Sequence, residues 1–237
     1  MIKKTSAIWV TGASSGIGKA VAVEFCKQKK TVIASARNKQ ALLDVKESLD
    51  ESGNYFIPLP LDVSKRNLME KKLIKSSQNY FIETLVNNAG VTSFNPAEDE
   101  SFENIEQIVK VNLMGAIFAT KLVLSEMIKK KKGTIINILS VASKKIFTQS
   151  SVYSASKAGL EMYMNILREE VRKYNIRIIN IFPGATKTAI WPDEMLEQFG
   201  KRMMLPEDIA ALIFSLCNSN NSVVPEEVVL RPIKGDL

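Results

Sequence analysis

Short apolar or β-branched runs recur along the chain at 7–10, 31–36, 55–59, 84–86, 134–139, 177–182 and 228–230, each ending near small residues. Between them lie longer stretches with helical periodicity. Ile17, Val21 and Phe25 mark the first, and Leu42, Val45 and Leu49 the second. Ile105, Ile108, Val109, Asn112, Ala116, Leu124 and Met127 mark a long one, and Leu160, Tyr163, Leu167 and Val171 a fourth. Strands that alternate with helices imply a parallel sheet, because each crossover lays a helix over one face. The near-continuous apolar character of the runs agrees with strands buried on both sides. Right-handed crossovers then give a doubly wound, three-layer αβα sheet of about seven strands, with ligands at the carboxyl ends of the strands. No repeat, low-complexity tract or Pro/Gly-rich linker divides the 237 residues, so residues 1–237 are expected to form a single domain.

Composition excludes several chemistries. Histidine is absent and the two cysteines, Cys26 and Cys217, lie far apart with no CxxC pair. A zinc site lacks its usual ligands, and Ser-His or Cys-His nucleophilic machinery lacks its base. Acid–base chemistry near neutral pH then requires another side chain with a tuned pKa. The net charge of +7 permits anionic partners, but the lysine clusters, Lys27/Lys29/Lys30 and Lys129 to Lys132, fall where helices should end before strands. Cations favour helix C-termini, so no nucleic-acid partner is expected. No uninterrupted run of about 18 apolar residues occurs, so no membrane span is expected. The start Met1-Ile2-Lys3-Lys4 leads into only a short apolar run, unlike a signal peptide, and a cytoplasmic protein is expected.

The first strand runs into Thr11-Gly12-Ala13-Ser14-Ser15-Gly16-Ile17-Gly18-Lys19. A glycine-rich turn between strand and helix lets backbone N–H groups approach a phosphate, and the helix N-terminus adds partial positive charge. A nucleotide triphosphatase loop would need GxxxxGK followed by Ser or Thr; here Ala13 stands at the first glycine and Ala20 at the hydroxyl. The strict GxGxxG spacing is also missed. Further on, Val152-Tyr153-Ser154-Ala155-Ser156-Lys157 places a phenol and an ammonium one helical turn apart with only small residues between them. The fragment is either the small-residue face of a packed helix or an acid–base catalyst with its tuning group attached.

Taken in order, these motifs resemble the short-chain dehydrogenase/reductase family. TGASSGIG looks like that family's TGxxxGxG turn, and Asn87-Asn88-Ala89-Gly90 like its NNAG after the fourth strand. Asn112 lies in the long helix, Ser140 follows the fifth strand, Tyr153-xxx-Lys157 matches YxxxK, and Pro183-Gly184 follows the sixth strand with Thr188 downstream. The resemblance spans Thr11 to about Thr188 and implies one NAD(P)-binding domain of Rossmann type. It also implies hydride transfer between a carbonyl and an alcohol. Tyr153 would serve as general acid/base and Ser140 would hold the reacting oxygen. Lys157 would lower the Tyr153 pKa and bind the nicotinamide ribose, and Asn112 would help hold a water that passes protons towards Lys157.

The resemblance also places the cofactor. Gly12, Ser14, Ser15, Gly16, Ile17 and Gly18 would take the pyrophosphate. Asp62 and Val63 would hold the adenine, Asn88, Ala89 and Gly90 its ribose, and Val111 the region behind it. Pro183, Gly184, Thr186 and Thr188 would close over the nicotinamide. Enzymes selective for NAD usually carry an acid at the end of the second strand, but Ala36 stands there, followed by Arg37 and, two places on, Lys39. A guanidinium suits a 2′-phosphate, so NADP (NADPH) is favoured over NAD. The segment at about 185–205, with Trp191, Met195, Leu196, Phe199, Met203 and Met204, should form an apolar substrate lid. Ile146 and Phe147 should sit near the carbonyl on the facing wall. The expected partner is a small-molecule carbonyl or alcohol, and the expected assembly a homodimer or homotetramer joined through the long helices. Two other readings stand beside this one: a non-catalytic NADP-binding scaffold or sensor, and a 3-ketoacyl-carrier-protein reductase. The tail from Val228 to Leu237 lacks the VDGG-like turn of the latter.

Overall fold

Each of the seven apolar runs becomes a strand in the computed structural model, which describes residues 4–218 and 222–237. Met1 to Lys3, on which the reading of the N-terminus partly rests, lie outside the described residues. The strands are β1 (Thr5–Thr11), β2 (Val32–Ala36), β3 (Phe56–Pro60), β4 (Tyr80–Asn87), β5 (Gly133–Ile138), β6 (Ile176–Pro183) and β7 (Glu227–Leu230). All pairs are parallel, in the order β3-β2-β1-β4-β5-β6-β7. The chain builds outward from β1 to β3, returns, and builds the other way from β4. The β1/β4 boundary is therefore the switch point at which crevices open in such sheets.

Alternating side chains feed two cores. Trp9, Ile33, Leu85 and Ile135 point to one face, where they meet α5 (Ala116–Lys130) and α6 (Ser151–Val171). Their neighbours Val10, Ala34, Val86 and Ile136 point to the other, against α1 (Gly16–Lys27), α2 (Lys39–Glu47) and α8 (Pro206–Asn218). The remaining helices are α3 (Arg66–Ser77), α4 (Phe102–Ile108) and α7 (Asp193–Phe199). Between α4 and α5 the helix widens into a π-helical segment, Val109–Gly115. The continuous helix Phe102–Lys130 is long and apolar enough to cross a membrane by length and composition. The absence of an uninterrupted apolar run hides that property. Its Ile108, Val111, Ala119, Val123 and Met127 are buried, the last four in the core against the sheet. The lysine clusters follow helix ends as expected: α1 stops at Lys27 and α5 at Lys130.

β4 begins four residues earlier than its apolar run suggests. Tyr80, Phe81 and Ile82 pair with Thr5, Ser6 and Ala7, and the register then shifts by one so that Ile8 pairs with Thr84; the half-buried Glu83 at this irregularity interrupts the pattern in sequence. The centre of the sheet carries a row of buried amides. Asn87, Asn137 and Asn180 occupy facing positions on β4, β5 and β6. Asn87 Nδ2 donates to Asn137 Oδ1 at 2.9 Å and Asn137 Nδ2 to Asn180 Oδ1 at 2.9 Å. Asn180 Nδ2 continues to Asn165 Oδ1 of α6 at 3.0 Å, which the buried Arg168 also reaches at 3.0 Å. Replacing Asn137 with Leu leaves the acceptor of Asn180 stranded and removes one partner of Asn87. The Asn137→Leu protein should lose about 2–4 kcal/mol in urea unfolding, and an unchanged midpoint would remove the network from the stability account.

Candidate active site

A cleft of about 770 Å³ opens across the carboxyl ends of the central strands. At its β1 end the turn carries Gly12 at φ +67 and Gly16 at φ +52. A Cβ on Gly12 would meet Ala89 Cα at 2.9 Å, so this position needs glycine for both its conformation and its neighbours. Ser14, Ser15, Gly16 and Ile17 line the cleft with Gly12. Ser15 begins α1 without a side-chain cap, which leaves the first-turn N–H groups available to an anion.

Gly18 does not line the cleft, contrary to the sequence expectation. A Cβ there would lie 2.3 Å from Gly12 O and 2.3 Å from Asn88 Nδ2, so it packs α1 beneath the turn. Asn88 lines the cleft, but its amide is already committed: Nδ2 donates to Thr11 O at 3.0 Å and Gly12 O at 3.1 Å. The Thr11 hydroxyl accepts from the backbone N–H of both Asn88 and Ala89, at 3.0 and 3.1 Å. Thr11 thus joins the two motif loops, a role sequence reading gave it no cause to expect.

Arg37 is exposed at the end of β2 and lines the cleft, as do Ala36 and Asn38; Lys39 does not. Asn38 is spent on capping α2, its side chain accepting from Ala41 N at 3.1 Å. Asp62, Val63, Ala89, Gly90 and Val111 line the adjoining stretch. Asp62 Oδ1 accepts from the backbone and hydroxyl of Ser64 at 2.9 and 2.7 Å, which fixes the turn after β3.

Ser140, Tyr153 and Lys157 meet on the cleft floor. Ser140 opens a 3-10 turn, Val141–Ser143, and its Oγ accepts from Ala142 N at 3.1 Å. The nearby Ser140 hydroxyl pulls the Tyr153 phenol pKa down, but burial is the larger effect and holds the phenol above its ordinary value. Lys157 is 4% exposed, and its Nζ donates to Ile138 O at 2.7 Å. The amine lies 5.7 Å from the Tyr153 ring centroid. Burial pushes Lys157 down to about 8. The phenol therefore stands above its ordinary value, not below it as the neighbouring lysine alone would place it, because burial dominates.

Asn112 sits in the π-helical segment, 1% exposed, behind the cleft rather than on its wall. Its Oδ1 accepts from Val91 N at 2.8 Å, and Nδ2 donates to Val91 O at 2.9 Å and Ser156 Oγ at 3.1 Å. Ser156 Oγ in turn donates to Tyr153 O at 2.7 Å. Both amide hydrogens are committed to protein, so the side chain fixes the Gly90–Val91 loop against the helix of Tyr153. A Cβ on Gly90 would fall 3.5 Å from Asn112 Oδ1 and 3.6 Å from Lys157 Nζ. Gly90 keeps that space clear.

Pro183, Gly184, Thr186 and Thr188 line the cleft after β6. Residues 185–204 form a loop closed at its base by the Thr186↔Met204 bridge and containing α7. Trp191 and Met195 face the cleft; Leu196 and Phe199 do not, Met203 is buried, and Met204 packs on the core. Trp191 stacks on Phe94 with centroids 5.4 Å apart and planes 15° apart, while its Nε1 donates to Thr186 O at 3.1 Å. On the facing wall Phe147 lines the cleft, but Ile146 is 97% exposed and turns outward. Phe94, Asp236 and Leu237 also line the cleft, and no sequence motif marked them.

The profile of the short chain dehydrogenase family matches residues 6–198. A sepiapterin reductase of Chlorobaculum tepidum is 32% identical over 236 residues, covering 96% of each chain. The crystal structure of a serine dehydrogenase from Escherichia coli superposes with a TM-score of 0.86 at 27% identity, covering 98% of this chain and all of the other. The closed form of serine dehydrogenase complexed with NADP+ gives 0.89 at 26% identity, covering 98% of this chain and 96% of that one.

The buried amine makes a prediction about stability. Between about 8 and its ordinary 10.5, Lys157 binds less proton folded than unfolded, so stability rises with pH across that window. The cofactor-free Lys157→Met protein should lack this rise. Urea unfolding of the two proteins across the window should differ in pH dependence by on the order of 2–3 kcal/mol, and parallel curves would contradict the depressed value.

Proposed function

This chain belongs to the short-chain dehydrogenase/reductase family, and we propose that it reduces the carbonyl group of a small, uncharged substrate with NADPH, using Tyr153 as general acid. The observation that carries this reading is the Ser140–Tyr153 hydroxyl pair on the floor of a cleft whose other end is a glycine cradle. The residues at that end fit a dinucleotide: Gly12 and Gly16 leave the turn bare of side chains, and the first turn of α1 has no side-chain cap. Gly12, Ser14, Ser15, Gly16 and Ile17 would hold the pyrophosphate. Asp62, Val63 and Val111 would hold the adenine, and Asn88, Ala89 and Gly90 its ribose. Tyr153 and Lys157 would hold the nicotinamide ribose, with Pro183, Gly184, Thr186 and Thr188 around the ring. Asp62 and Asp236 are the only acids on the cleft wall among the described residues, and neither stands at the end of β2. Arg37 does, and its guanidinium matches a 2′-phosphate, which favours NADP over NAD.

The cofactor supplies hydride to the carbonyl carbon when bound. Tyr153 gives its proton to the carbonyl oxygen as negative charge develops there. A phenol held above its ordinary pKa keeps that proton at neutral pH, which suits the reductive direction. Ser140 hydrogen-bonds the same oxygen and holds it against Tyr153. The lysine cation stabilises the phenolate left behind, and its reduced pKa of about 8 lets it pass on a proton near neutrality. Asn112 holds Val91 and the Tyr153 helix in place and helps seat the water expected on the route to Lys157. Phe94, Phe147, Ile190, Trp191 and Met195 make the substrate end apolar, and Arg37 and Lys157 are the only cations on the cleft wall among the described residues. A cytoplasmic setting and a homodimer or homotetramer belong to the same proposal; exposed Met162 and Ile166 on α6 suit self-association.

NADPH oxidation with a panel of small ketones and aldehydes tests the reading. Tyr153→Phe should lower kcat by roughly 10²–10⁴-fold while NADPH still binds. Tight NADPH binding with no turnover on any carbonyl would favour a scaffold instead. Arg37→Ala should weaken NADPH by roughly 10-fold or more and leave NADH nearly unchanged. Equal losses for both cofactors would reverse the NADP assignment.

A further inference from the structure

Asp236 comes from a tail far from every motif, yet it lines the cleft and gathers cations from three separate segments. Its Oδ1 accepts from Arg231 Nε at 2.9 Å, and Arg231 Nη2 pairs with Oδ2, so the guanidinium grips the carboxylate with two nitrogens. Oδ2 also accepts from Lys145 Nζ at 3.1 Å, and the Asp236 backbone oxygen accepts from Arg202 Nη2 at 2.9 Å. A tight turn aims the residue inward: Gly235 N donates to Pro232 O at 2.8 Å with Gly235 at φ +82.

The three cations belong to the parts that shape the substrate end. Lys145 lies on the wall after Ser140, two residues before Phe147. Its neighbour Lys144 ties that wall to the body through Glu161 and Glu227, both at 2.9 Å. Arg202 lies on the loop that carries Trp191, just before the bridge at Met204 that closes it. Arg231 follows β7. We infer that Asp236 is a positioning residue that clasps the two walls of the substrate end to the tail and so sets the cleft width the substrate meets. Its role in turnover rests on the carbonyl-reductase reading; its role in holding the walls does not.

The pairs are partly exposed, with Asp236 at 27% and Lys145 at 50% side-chain exposure, so salt should loosen the clasp. Asp236→Asn keeps the shape of the side chain and removes its charge. The chain has two tryptophans, and Trp9 is 0% exposed, so acrylamide quenching of tryptophan fluorescence reports the Trp191–Phe94 stack without any assay of activity. Because Arg202 reaches the Asp236 main chain, Arg202→Gln should release the loop of Trp191 and increase quenching, and Arg202→Lys should return it towards wild type. In turnover, Asp236→Asn should raise KM for the carbonyl by about fivefold, with kcat and the NADPH Kd within about twofold of wild type. Wild-type KM should climb between about 0.05 and 0.5 M NaCl while that of Asp236→Asn stays flat. Wild-type quenching in Arg202→Gln, or an identical salt response of wild type and Asp236→Asn, would overturn the clasp. If no carbonyl is reduced, the quenching comparison alone decides the clasp, and it is the reductase reading that fails.

Discussion

The buried row of amides from Asn87 through Asn137 and Asn180 to Asn165 is the constraint on which the site depends. Parallel strands rich in Val and Ile can slide, because one apolar neighbour is much like another. An amide in the same core cannot slide without losing its partner, and an unpaired buried polar group costs more than the bond contributes. The pairing holds β4, β5 and β6 in one alignment. Asn88 follows directly on β4, Ser140 lies three residues after Asn137, and Pro183 three after Asn180. The loops that form the cleft floor therefore start from ends already fixed in the core. Asn87 Oδ1 is buried without a partner in this row, so the network is held mainly through its donors at the β4 end.

At the floor, two effects oppose each other. Spacing of four on a helix brings Lys157 under Tyr153, and charge alone would favour the phenolate. Burial acts on both groups at once, lifting the phenol and lowering the amine. Ile138 O takes one ammonium hydrogen, which partly replaces lost water. The pair that results holds a retained phenolic proton beside an amine that gives its own up more readily than usual. In the proposed reduction such a pair would deliver a proton and be resupplied, whereas a permanently ionised phenol would have none to give.

Much of this was legible in the sequence. The seven strands follow from runs that are apolar on both faces, and the turn at Gly12 and the floor at Ser140, Tyr153 and Lys157 follow from motif spacing. What sequence could not separate was contact from support. Gly18, Asn88 and Asn112 stand at motif positions, yet Gly18 packs under the turn, the Asn88 amide ties it to β4, and Asn112 braces Val91 from behind the cleft. A motif records that a residue type is needed, and close packing needs it as strictly as a ligand does. α3 and α8 were unmarked: α3 buries only Met69 and Leu73 against the core, which leaves little periodicity to read. Ile146 and Phe147 are adjacent and equally apolar, and only the backbone of their loop decides that Phe147 turns in.

The two ends of the cleft are built by different physics, and that explains why only one could be read closely. The glycine end is made of backbone and small side chains packed until a single added Cβ would collide at 2.3 to 2.9 Å. Such contacts admit few residue types, so the turn is legible in the sequence. The opposite end is made of three surface segments that meet through Phe94 on Trp191 and through cations around Asp236. Stacking and exposed ion pairs accept many substitutions and contribute little each. No spacing rule links Phe94, Trp191 and Asp236, because only the fold brings them together. The same looseness lets this end change shape without disturbing the sheet, so the residues that shape it leave no local signature in the sequence.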